Sequence, residues 1–279
     1  MDSIKIKSPA KINIGLNILN KREDSFHNLE TIFYPLELFD EITIIKSNDF
    51  SFNSNDEQLN FEKTNLIIKA KEALESFCQT SFNVNIFLKK EIPIGAGLGG
   101  GSSNAATTLI GLNKLFDLAI SDSDLAKLAL SLGSDVPFFL KSVPSFAESR
   151  GEILYPLNII NKKFLVIINP GIHISTRWAF GLIKPSIPKS SLKLFTSKKD
   201  IPIEEILESA SNDFEEIIFN HYPEIFEIKK KMNEFGAKHS MMTGTGSTVW
   251  GFFDEEESAN HTELYFKSKD YFTFLQNTI

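Results

Sequence analysis

The sequence is almost free of cysteine, because Cys78 is the only one among 279 residues. An intrachain disulfide is therefore excluded, and such usage is typical of a reducing compartment. Cys78 lies on a predicted helix, after Glu75-Ser76-Phe77, without any local signature of a catalytic thiol. The N-terminus has no basic segment followed by an apolar run, so no signal peptide is predicted. We expect a cytoplasmic protein.

A surplus of basic residues is missing as well. The chain carries 29 Lys and Arg against 36 Asp and Glu, a formal net charge of −7, and its basic residues form no dense cluster. Nucleic-acid binding needs a basic face and is not expected. No apolar stretch approaches the roughly 20 residues of a membrane span, so no membrane partner is expected. Phosphorylated small molecules stay open as partners, because a few lysines and backbone amides can bind them.

Apolar residues, by contrast, are plentiful. Hydrophobic residues make up 42% of the chain and include 25 Phe, so a core can form without disulfides. Predicted strands and helices mix without a regular βαβ alternation, which favours an α+β fold over a doubly wound α/β fold. We expect two domains, residues 1–155 and residues 156–279.

Hydrophobic periodicity gives several local predictions. It predicts strand, turn and strand over Ile4–Ile18, and two separate strands at Ile32–Leu36 and Glu41–Lys46. A helix is predicted over Ala105–Phe116, whose apolar residues recur at intervals of four, three and four. Residues 184–202 are rich in Pro, Ser and Lys and are predicted to form a mobile surface segment.

The strongest chemical signal is the glycine-rich run from Gly95 to Gly101, between a predicted strand and a predicted helix. Glycines take positive φ and allow close approach, so successive N–H groups can surround an anion. The following helix start offers unpaired amides and about half a positive charge. Ser102, Ser103 and Asn104 can cap that helix, contact phosphate oxygens or reach a magnesium ion. A flexible linker is the plain alternative, although linkers rarely join an apolar strand tightly to an amphipathic helix.

Three phosphate-binding patterns compete for this run. The Walker pattern fails because no lysine follows the loop. The dinucleotide fingerprint fits Gly95, Gly97 and Gly100, but its acidic residue should end the next strand, whereas Asp117 follows a helix. A third pattern explains the proline, the leucine and both serines too: Pro93-x-x-x-Gly97-Leu98-Gly99-x-x-Ser102-Ser103-x-Ala105.

This third pattern resembles the central motif of the GHMP kinases. Ser8-Pro9-Ala10-Lys11-Ile12-Asn13 is similar to the family's first motif, and Met241–Ser247 is similar to its third, a glycine turn beside the phosphate loop. Other segments are similar to the branch whose substrate carries a diphosphocytidyl group: Arg22-x-Asp24-x-x-His27, Gly99–Ala105, Gly133–Phe139, Glu148–Glu152 and Asn212-Asp213. Together these motifs extend from about residue 8 to about residue 247.

The resemblance implies a fold and an activity. The N-terminal domain would be of the ribosomal protein S5 domain 2-like type and the C-terminal domain ferredoxin-like, with the active site in the cleft between them. The activity would be transfer of the γ-phosphoryl group of ATP to a hydroxyl of a small-molecule diphosphocytidyl substrate, with Mg²⁺. The protein would be a monomer or a homodimer. No protein ligand of the metal is predicted beyond Ser102 and Ser103 as candidates.

The resemblance also implies catalytic roles. Taken alone, Asp135 between Gly133 and Pro137 could be a turn residue, and Lys11 could be a solvated lysine on a strand face. By resemblance, Asp135 is the general base that accepts the proton of the substrate hydroxyl. Lys11 is its partner, which keeps the carboxylate ionised and stabilises charge on the moving phosphoryl group. Asn13 lies on the same strand face and would bind substrate hydroxyls.

Aromatic residues are implied on the cytosine side. His27 would hydrogen-bond the cytosine edge while Phe26 stacks on its ring. Phe26 replaces the family's more usual tyrosine, which keeps the stacking but removes a phenolic hydrogen bond. Phe180, shortly after Thr176, matches the second stacking ring, and Phe33 would line the acceptor pocket. On pattern alone, a surface histidine and core phenylalanines are equally good interpretations.

ATP is expected along the glycine run, with Asn65 and Lys90 as weaker candidates on the adenine side. The expected ATP-binding residues of the run are Pro93, Ile94, Gly95, Ala96, Gly97, Leu98, Gly99, Gly100, Gly101, Ser102 and Ser103. Three alternatives stay open: a family kinase for mevalonate, homoserine or a sugar, a catalytically silent ligand-binding member, and a nicotinamide oxidoreductase. The pair Phe26-His27 favours a cytosine-containing substrate, because the other acceptors have no base to clamp.

Overall fold

The computed structural model describes residues 1–60, 65–188 and 190–277. Its strands are β1 (Ser3–Lys21), β2 (His27–Lys46), β3 (Ser51–Ser54), β4 (Val84–Lys89), β5 (Ser145–Ser149), β6 (Ile153–Pro156), β7 (Ile159–Ile160), β8 (Phe164–Asn169), β9 (Ile201–Pro202), β10 (His239–Met242), β11 (Val249–Phe253) and β12 (Phe272–Gln276). Its α-helices are α1 (Glu57–Asn60), α2 (Leu66–Cys78), α3 (Gly100–Leu115), α4 (Asp122–Leu132), α5 (Thr176–Leu182), α6 (Ile203–Ser209), α7 (Glu215–His221), α8 (Pro223–Glu234) and α9 (Glu256–Lys267). Short 3-10 helices span Val136–Leu140 and Leu192–Ser197.

The chain forms two compact units that alternate along the sequence. The first unit comprises Met1–Ala10, Glu37–Ile94 and Gly99–Ser142. The second comprises Lys11–Leu36, Gly95–Leu98 and Val143–Ile279. Strands β1 and β2 therefore contribute residues to both units. The mixture of sheets and helices agrees with the α+β expectation, while the boundary at residue 155 stays a prediction.

In the first unit, the C-terminal half of β2 pairs antiparallel with β4, and β4 pairs parallel with β3. Strand β4 alternates buried and exposed residues, which is the pattern of a sheet with one face on the core. Helix α3 lies directly on the strands, because a Cβ built on Gly111 would lie 2.7 Å from Ile44 Cδ1 and 3.2 Å from Ile6 Cδ1. The helix therefore packs closely on the sheet at Gly111, where a larger residue would displace the Ile44 side chain.

In the second unit, β10, β11, β8 and β12 form an antiparallel four-stranded sheet in that order. The N-terminal half of β2 pairs antiparallel with β5, and β5 with β6. All five residues of β11 are buried, and Trp250 in this strand donates its Nε1–H to the carbonyl oxygen of Asn13 at 3.0 Å. This hydrogen bond joins the buried strand β11 to β1 at the first motif.

Two strand predictions need correction. The turn expected within Ile4–Ile18 is wrong, because β1 is one continuous strand. Strand β1 pairs with β2, and its N–H groups at Lys11 and Leu16 donate to loop carbonyls, Leu98 O at 2.9 Å and Ser211 O at 2.7 Å. The two strands expected at Ile32–Leu36 and Glu41–Lys46 are likewise one strand, β2, whose partner changes from β5 to β4 along its length.

Two further segments differ from expectation. Helix α3 begins at Gly100 rather than Ala105, because the weak helix propensity of glycine hides its first turn from a periodicity search. In the described part of residues 184–202, Leu192 and Phe195 are buried in a 3-10 helix, so the expectation of a mobile surface segment is wrong there. Lys189 lies outside the described residues.

A search of the described residues for a helix that could cross a bilayer finds none of sufficient length and apolarity.

Candidate active site

The glycine loop has a specific backbone conformation. Gly95, Gly97 and Gly99 have φ of +67°, +79° and +72°, while the intervening Ala96 and Leu98 are buried. Left-handed residues at alternate positions are the backbone feature of anion-binding nests, and only glycine takes them without strain. The buried alanine and leucine side chains anchor the loop in the protein.

Helix α3 continues the loop and begins after Gly99. Because Gly99 has no side chain, it cannot cap the first amides of the helix, which is the arrangement that favours an anion there. Ser103 is fully buried, and its Oγ accepts a hydrogen bond from Ser8 Oγ at 2.8 Å. Ser102 is only partly buried. Of the two candidate serines, Ser102 has the hydroxyl less committed to the fold.

Lys90 takes part in a buried ion pair. Its Nζ lies 2.8 Å from Asp40 Oδ2, and the two side chains are 8% and 0% exposed. Asp40 also accepts from two backbone N–H groups after β4 and from Asn104 Nδ2. Burial lowers the pKa of Lys90, while the carboxylate of Asp40 opposes that shift. A Cβ built on Gly100 would lie 3.2 Å from Lys90 Nζ, so the pair supports the first turn of α3.

The first motif meets the glycine loop at Lys11. Its Nζ donates to Asn13 Oδ1 at 2.7 Å and to the carbonyl oxygen of Gly97 at 3.2 Å. Its backbone N–H donates to the carbonyl oxygen of Leu98 at 2.9 Å. Lys11 is 3% exposed, so the ordinary interpretation of a solvated strand lysine is wrong. A nearly buried ammonium therefore lies against the loop.

The amide of Asn13 is held on both sides. Its Nδ2 donates to Thr31 Oγ1 at 2.9 Å, and Thr31 Oγ1 donates to the carbonyl oxygen of Gly15 at 2.6 Å. Its Oδ1 accepts a hydrogen bond from Lys11 Nζ and another, at 3.3 Å, from Thr243 Oγ1. These contacts fix the amide so that its oxygen faces the lysine. Sequence reasoning missed Thr31, which carries no local motif signal.

The third motif packs against the same loop. A Cβ built on Gly97 would lie 2.8 Å from Thr243 O and 3.0 Å from Gly246 O, so no other side chain fits there. Thr243 Oγ1 also donates to the carbonyl oxygen of Gly97 at 3.4 Å. Asn212 holds the turn by donating its Nδ2 to the carbonyl oxygens of Met242 and Gly244 at 2.7 and 2.8 Å. Thr243 lies within the third motif but was not singled out from the sequence.

Two of the predicted cytosine-side residues meet. The rings of His27 and Phe180 lie 5.3 Å apart at 35°, and Phe180 packs edge-on against the buried ring of Phe214 at 4.8 Å. His27 is 8% exposed. Burial lowers the pKa of His27, and the nearby charge of Lys21 lowers it further. The lowered pKa favours the neutral imidazole, which can both donate and accept a hydrogen bond.

Phe26 presents a half-exposed ring with 50% of its surface accessible. The guanidinium of Arg150 lies 4.6 Å from the centre of this ring. The backbone N–H of Phe26 donates to Asp24 Oδ1 at 3.1 Å, and Asp24 pairs with Arg22 at 3.1 Å. The loop that carries the ring is thus ordered, and the ring keeps accessible surface for a ligand.

The remaining predicted residues are Phe33, Thr176, Asn65 and Asp135. Phe33 is buried, with Lys11 Nζ 5.3 Å from its ring centre, and the hydroxyls of Thr176 and Thr245 lie 3.3 Å apart. Asn65 caps α2, because its Oδ1 accepts from the backbone N–H of Ile67 at 2.9 Å. Asp135 precedes the 3-10 helix Val136–Leu140, but its side chain does not cap that helix. No group of three or more His, Cys, Asp or Glu with metal-binding geometry occurs among the described residues.

Comparison with known proteins shows the family to which the chain belongs. Residues 65–142 match the N-terminal domain of GHMP kinases, and residues 194–270 match their C-terminal domain. The chain also has the fold of a homoserine kinase from Cytophaga hutchinsonii, with a TM-score of 0.69 at 16% identity over 100% of this chain and 95% of that one. Together with the relatives below, these matches show that the chain belongs to the GHMP kinase family.

Closer relatives carry one particular name. The chain is 44% identical over 254 residues to 4-diphosphocytidyl-2-C-methyl-D-erythritol kinase of Bacteroides fragilis, covering 89% of this chain and 91% of that protein. It is 34% identical over 282 residues to the kinase of the same name from Citrifermentans bemidjiense, covering 100% of both. A crystal structure of 4-(cytidine 5'-diphospho)-2C-methyl-D-erythritol kinase matches with a TM-score of 0.80 at 29% identity, covering 98% of both chains.

Proposed function

We propose that the chain transfers the γ-phosphoryl group of ATP to the 2-hydroxyl of 4-diphosphocytidyl-2-C-methyl-D-erythritol. This reaction belongs to the non-mevalonate, methylerythritol phosphate route to isoprenoid precursors. The observation that carries the proposal is the contact of Lys11 Nζ with Gly97 O, which brings the charge of the first motif to the glycine loop. The whole-length relatives with that kinase name support the choice of acceptor.

The glycine loop and the start of α3 are proposed to hold the triphosphate. The run Pro93–Ser103 supplies backbone amides, and its positive-φ glycines let the phosphates approach the chain closely. Magnesium neutralises the β- and γ-phosphate oxygens when it is bound, and it usually needs only one or two protein ligands. Ser102 fits as such a ligand better than Ser103, whose hydroxyl is bonded to Ser8. Asn65 and Lys90 remain proposals for the adenine side.

Asp135 and Lys11 are the proposed catalytic residues. The 2-oxygen of the acceptor forms a bond to the γ-phosphorus while the bond from that phosphorus to the β,γ-bridging oxygen breaks and ADP leaves. Asp135 takes the hydroxyl proton, and Lys11 stabilises the negative charge on the transferring group. The nearly buried ammonium of Lys11 acts in a low-dielectric site, where such stabilisation is stronger than in water.

The acceptor is proposed to bind through residues of the first motif and the aromatic groups. Asn13 contacts its hydroxyls, and Phe33 and Thr176 line the pocket. Phe26 and Phe180 stack on the cytosine, while the neutral imidazole of His27 hydrogen-bonds the edge of the base.

The finer architecture belongs to the same proposal. The N-terminal domain would be ribosomal protein S5 domain 2-like and the C-terminal domain ferredoxin-like, divided near residue 155, with the active site in the cleft. A cytoplasmic location and a monomeric or homodimeric state complete the proposal. Light scattering during gel filtration tests the oligomeric state.

A panel of acceptors tests the proposed function. Purified protein is given ATP, Mg²⁺ and one acceptor at a time, and ADP release is followed in a coupled assay. Turnover is expected with the diphosphocytidyl substrate and not with mevalonate, homoserine or galactose. Preference for one of those three would show a family kinase with another acceptor. No turnover with any acceptor, in a protein that binds ATP, would favour a catalytically silent member.

A further inference from the structure

His173 occupies a rigidly held position after β8. The residue before it, Ile172, accepts a hydrogen bond at its carbonyl oxygen from Ser247 Oγ at 2.6 Å. The residue after it, Ile174, is 3% exposed and packs on Gly246, whose added Cβ would lie 3.0 Å from Ile174 Cδ1. Both neighbours of His173 are thus tied to the third motif. His173 itself is exposed, so burial in the core does not explain its position.

The imidazole of His173 lies against the glycine loop. A Cβ built on Gly95 would lie 2.7 Å from Nδ1 and 3.2 Å from Cε1 of His173. Gly95 also has a φ of +67°, so a larger residue would be both strained and in collision with the ring. The absence of a side chain at Gly95 leaves the space in which the imidazole sits.

The glycine run offers backbone amides to a nucleotide but contains no cationic side chain of its own. The lysine of a Walker loop is absent, and ATP carries about four negative charges near neutral pH, two of them on its terminal phosphate. Lys11 supplies an ammonium at Gly97, two residues further along the same loop. The ring of His173 places its Nδ1 on the Gly95 side, and a ring N–H binds charged oxygens more strongly than neutral ones.

We propose that His173 is a further nucleotide-binding residue, which donates a hydrogen bond from its imidazole to a phosphate oxygen of ATP held by Gly95–Leu98. The proposal rests on the proposed function only in requiring that this loop binds ATP. It does not depend on the identity of the acceptor.

The test uses two variants to separate the loss of the hydrogen-bond donor from the loss of the ring itself. His173→Leu keeps volume without a donor, and His173→Gln keeps a side-chain N–H. His261→Leu makes the same change at an exposed histidine of α9 and serves as the control. ATP affinity is measured by titration calorimetry on the full chain, and the KM values of ATP and of the acceptor are measured separately.

His173→Leu is expected to weaken ATP binding about fivefold, because a hydrogen bond to a charged group is lost at an exposed site. The KM of ATP should rise by a similar factor. His173→Gln should retain most of the affinity, and His261→Leu all of it. Normal ATP affinity in His173→Leu, equal losses in the Leu and Gln variants, or a rise confined to the KM of the acceptor would each overturn the proposal. A wild-type protein that binds ATP without phosphorylating the diphosphocytidyl acceptor would refute the proposed function alone.

Discussion

At the scale of single residues, Lys11 shows how a buried charge is kept beside a glycine loop. Its ammonium has two described acceptors, Asn13 Oδ1 and Gly97 O, and lies near the face of Phe33. Thr31 fixes the Asn13 amide by accepting its N–H. Each acceptor offsets part of the desolvation cost of the ammonium, so the charge can stay in a nearly dry site.

The proposed base gives the first residue-scale prediction. Asp135→Asn keeps the size of the side chain but cannot accept the hydroxyl proton, so turnover should fall about a hundredfold to ten-thousandfold. ATP affinity should stay close to that of the wild type. Asp122→Asn, at an exposed carboxylate of α4, is the matched control and should turn over normally. Near-normal turnover of purified Asp135→Asn would exclude its role as the base.

The exposed ring of Phe26 leads to a second prediction, which concerns binding of the cytosine base. Phe26→Ala removes the proposed stacking surface, so the KM of the diphosphocytidyl substrate should rise about tenfold, with the KM of ATP unchanged. Phe77→Ala is a close control, because Phe77 on α2 is 49% exposed against 50% for Phe26. Arg150→Ala should raise the same KM by less, since it removes only the cation over the ring. An unchanged substrate KM in Phe26→Ala would contradict cytosine stacking.

The sequence predicts single residues well when a local motif carries them. The glycine loop was singled out from its own pattern, and Lys11 was singled out by the resemblance of the first motif to that of the family. Thr31 and His173 were missed, since their contacts join positions far apart in the sequence. The contact of Lys11 with Gly97 spans 86 residues. A single sequence cannot show such pairs, which only the folded backbone brings together.

At the scale of elements, the glycine loop is confined by the third-motif turn. Thr243 and Gly246 present backbone oxygens to Gly97, and the turn that carries these oxygens is closed by two bonds, Thr243 N–H to Thr248 O and Gly246 N–H to Thr243 O, both at 2.9 Å. The oxygens therefore cannot withdraw without breaking the turn. The close contact explains why a glycine, and not merely a small residue, stands at position 97.

Gly97→Ala tests this confinement. The left-handed φ of +79° alone should cost about 1–2 kcal/mol, and the added Cβ must also displace backbone oxygens. We expect a lower melting temperature and weaker ATP binding. Gly181→Ala lies inside α5 with nothing within 4 Å of its added Cβ, so it should leave stability unchanged or slightly raised. Equal melting temperatures of the two variants would contradict the close packing.

The buried pair of Lys90 and Asp40 joins three elements of the first unit. Lys90→Met keeps the stem but leaves the carboxylate of Asp40 without its cation, which should cost about 3 kcal/mol in the free energy of unfolding measured with urea. Lys89→Met breaks the neighbouring pair with Glu91, whose side chains are 56% and 50% exposed, and should cost less than about 1 kcal/mol. Similar losses in both variants would show that burial does not strengthen the Lys90 pair.

The ends of helices and strands can likewise be predicted where a local signal sets them, but not where tertiary pairing sets them. Strand β4 alternates buried and exposed residues, and α2 begins directly after its capping residue Asn65; alternation and capping residues are local signals in a sequence. Residues 4–18 and 32–46 were each expected to be interrupted, but each segment lies in one continuous strand. Pairing partners decide there, since β2 passes Pro35 between the residues that pair with β5 and those that pair with β4.

At the scale of the whole molecule, the three family motifs are distributed over nearly the full chain. Lys11, Gly95–Leu98 and Thr243 belong to one compact unit although more than two hundred residues separate the first from the last. The relatives cover 89–100% of the chain, so the likeness applies to the complete set of motifs.

Identification of the reaction product tests the central claim most directly. The protein is incubated with ATP, Mg²⁺ and 4-diphosphocytidyl-2-C-methyl-D-erythritol, and the product is examined by mass spectrometry and by phosphorus and carbon NMR. We expect one added phosphoryl group, present as a phosphomonoester on the tertiary 2-hydroxyl, in equal amount to the ADP formed. Phosphorylation at another hydroxyl, or ADP and inorganic phosphate without a new phosphomonoester, would contradict it.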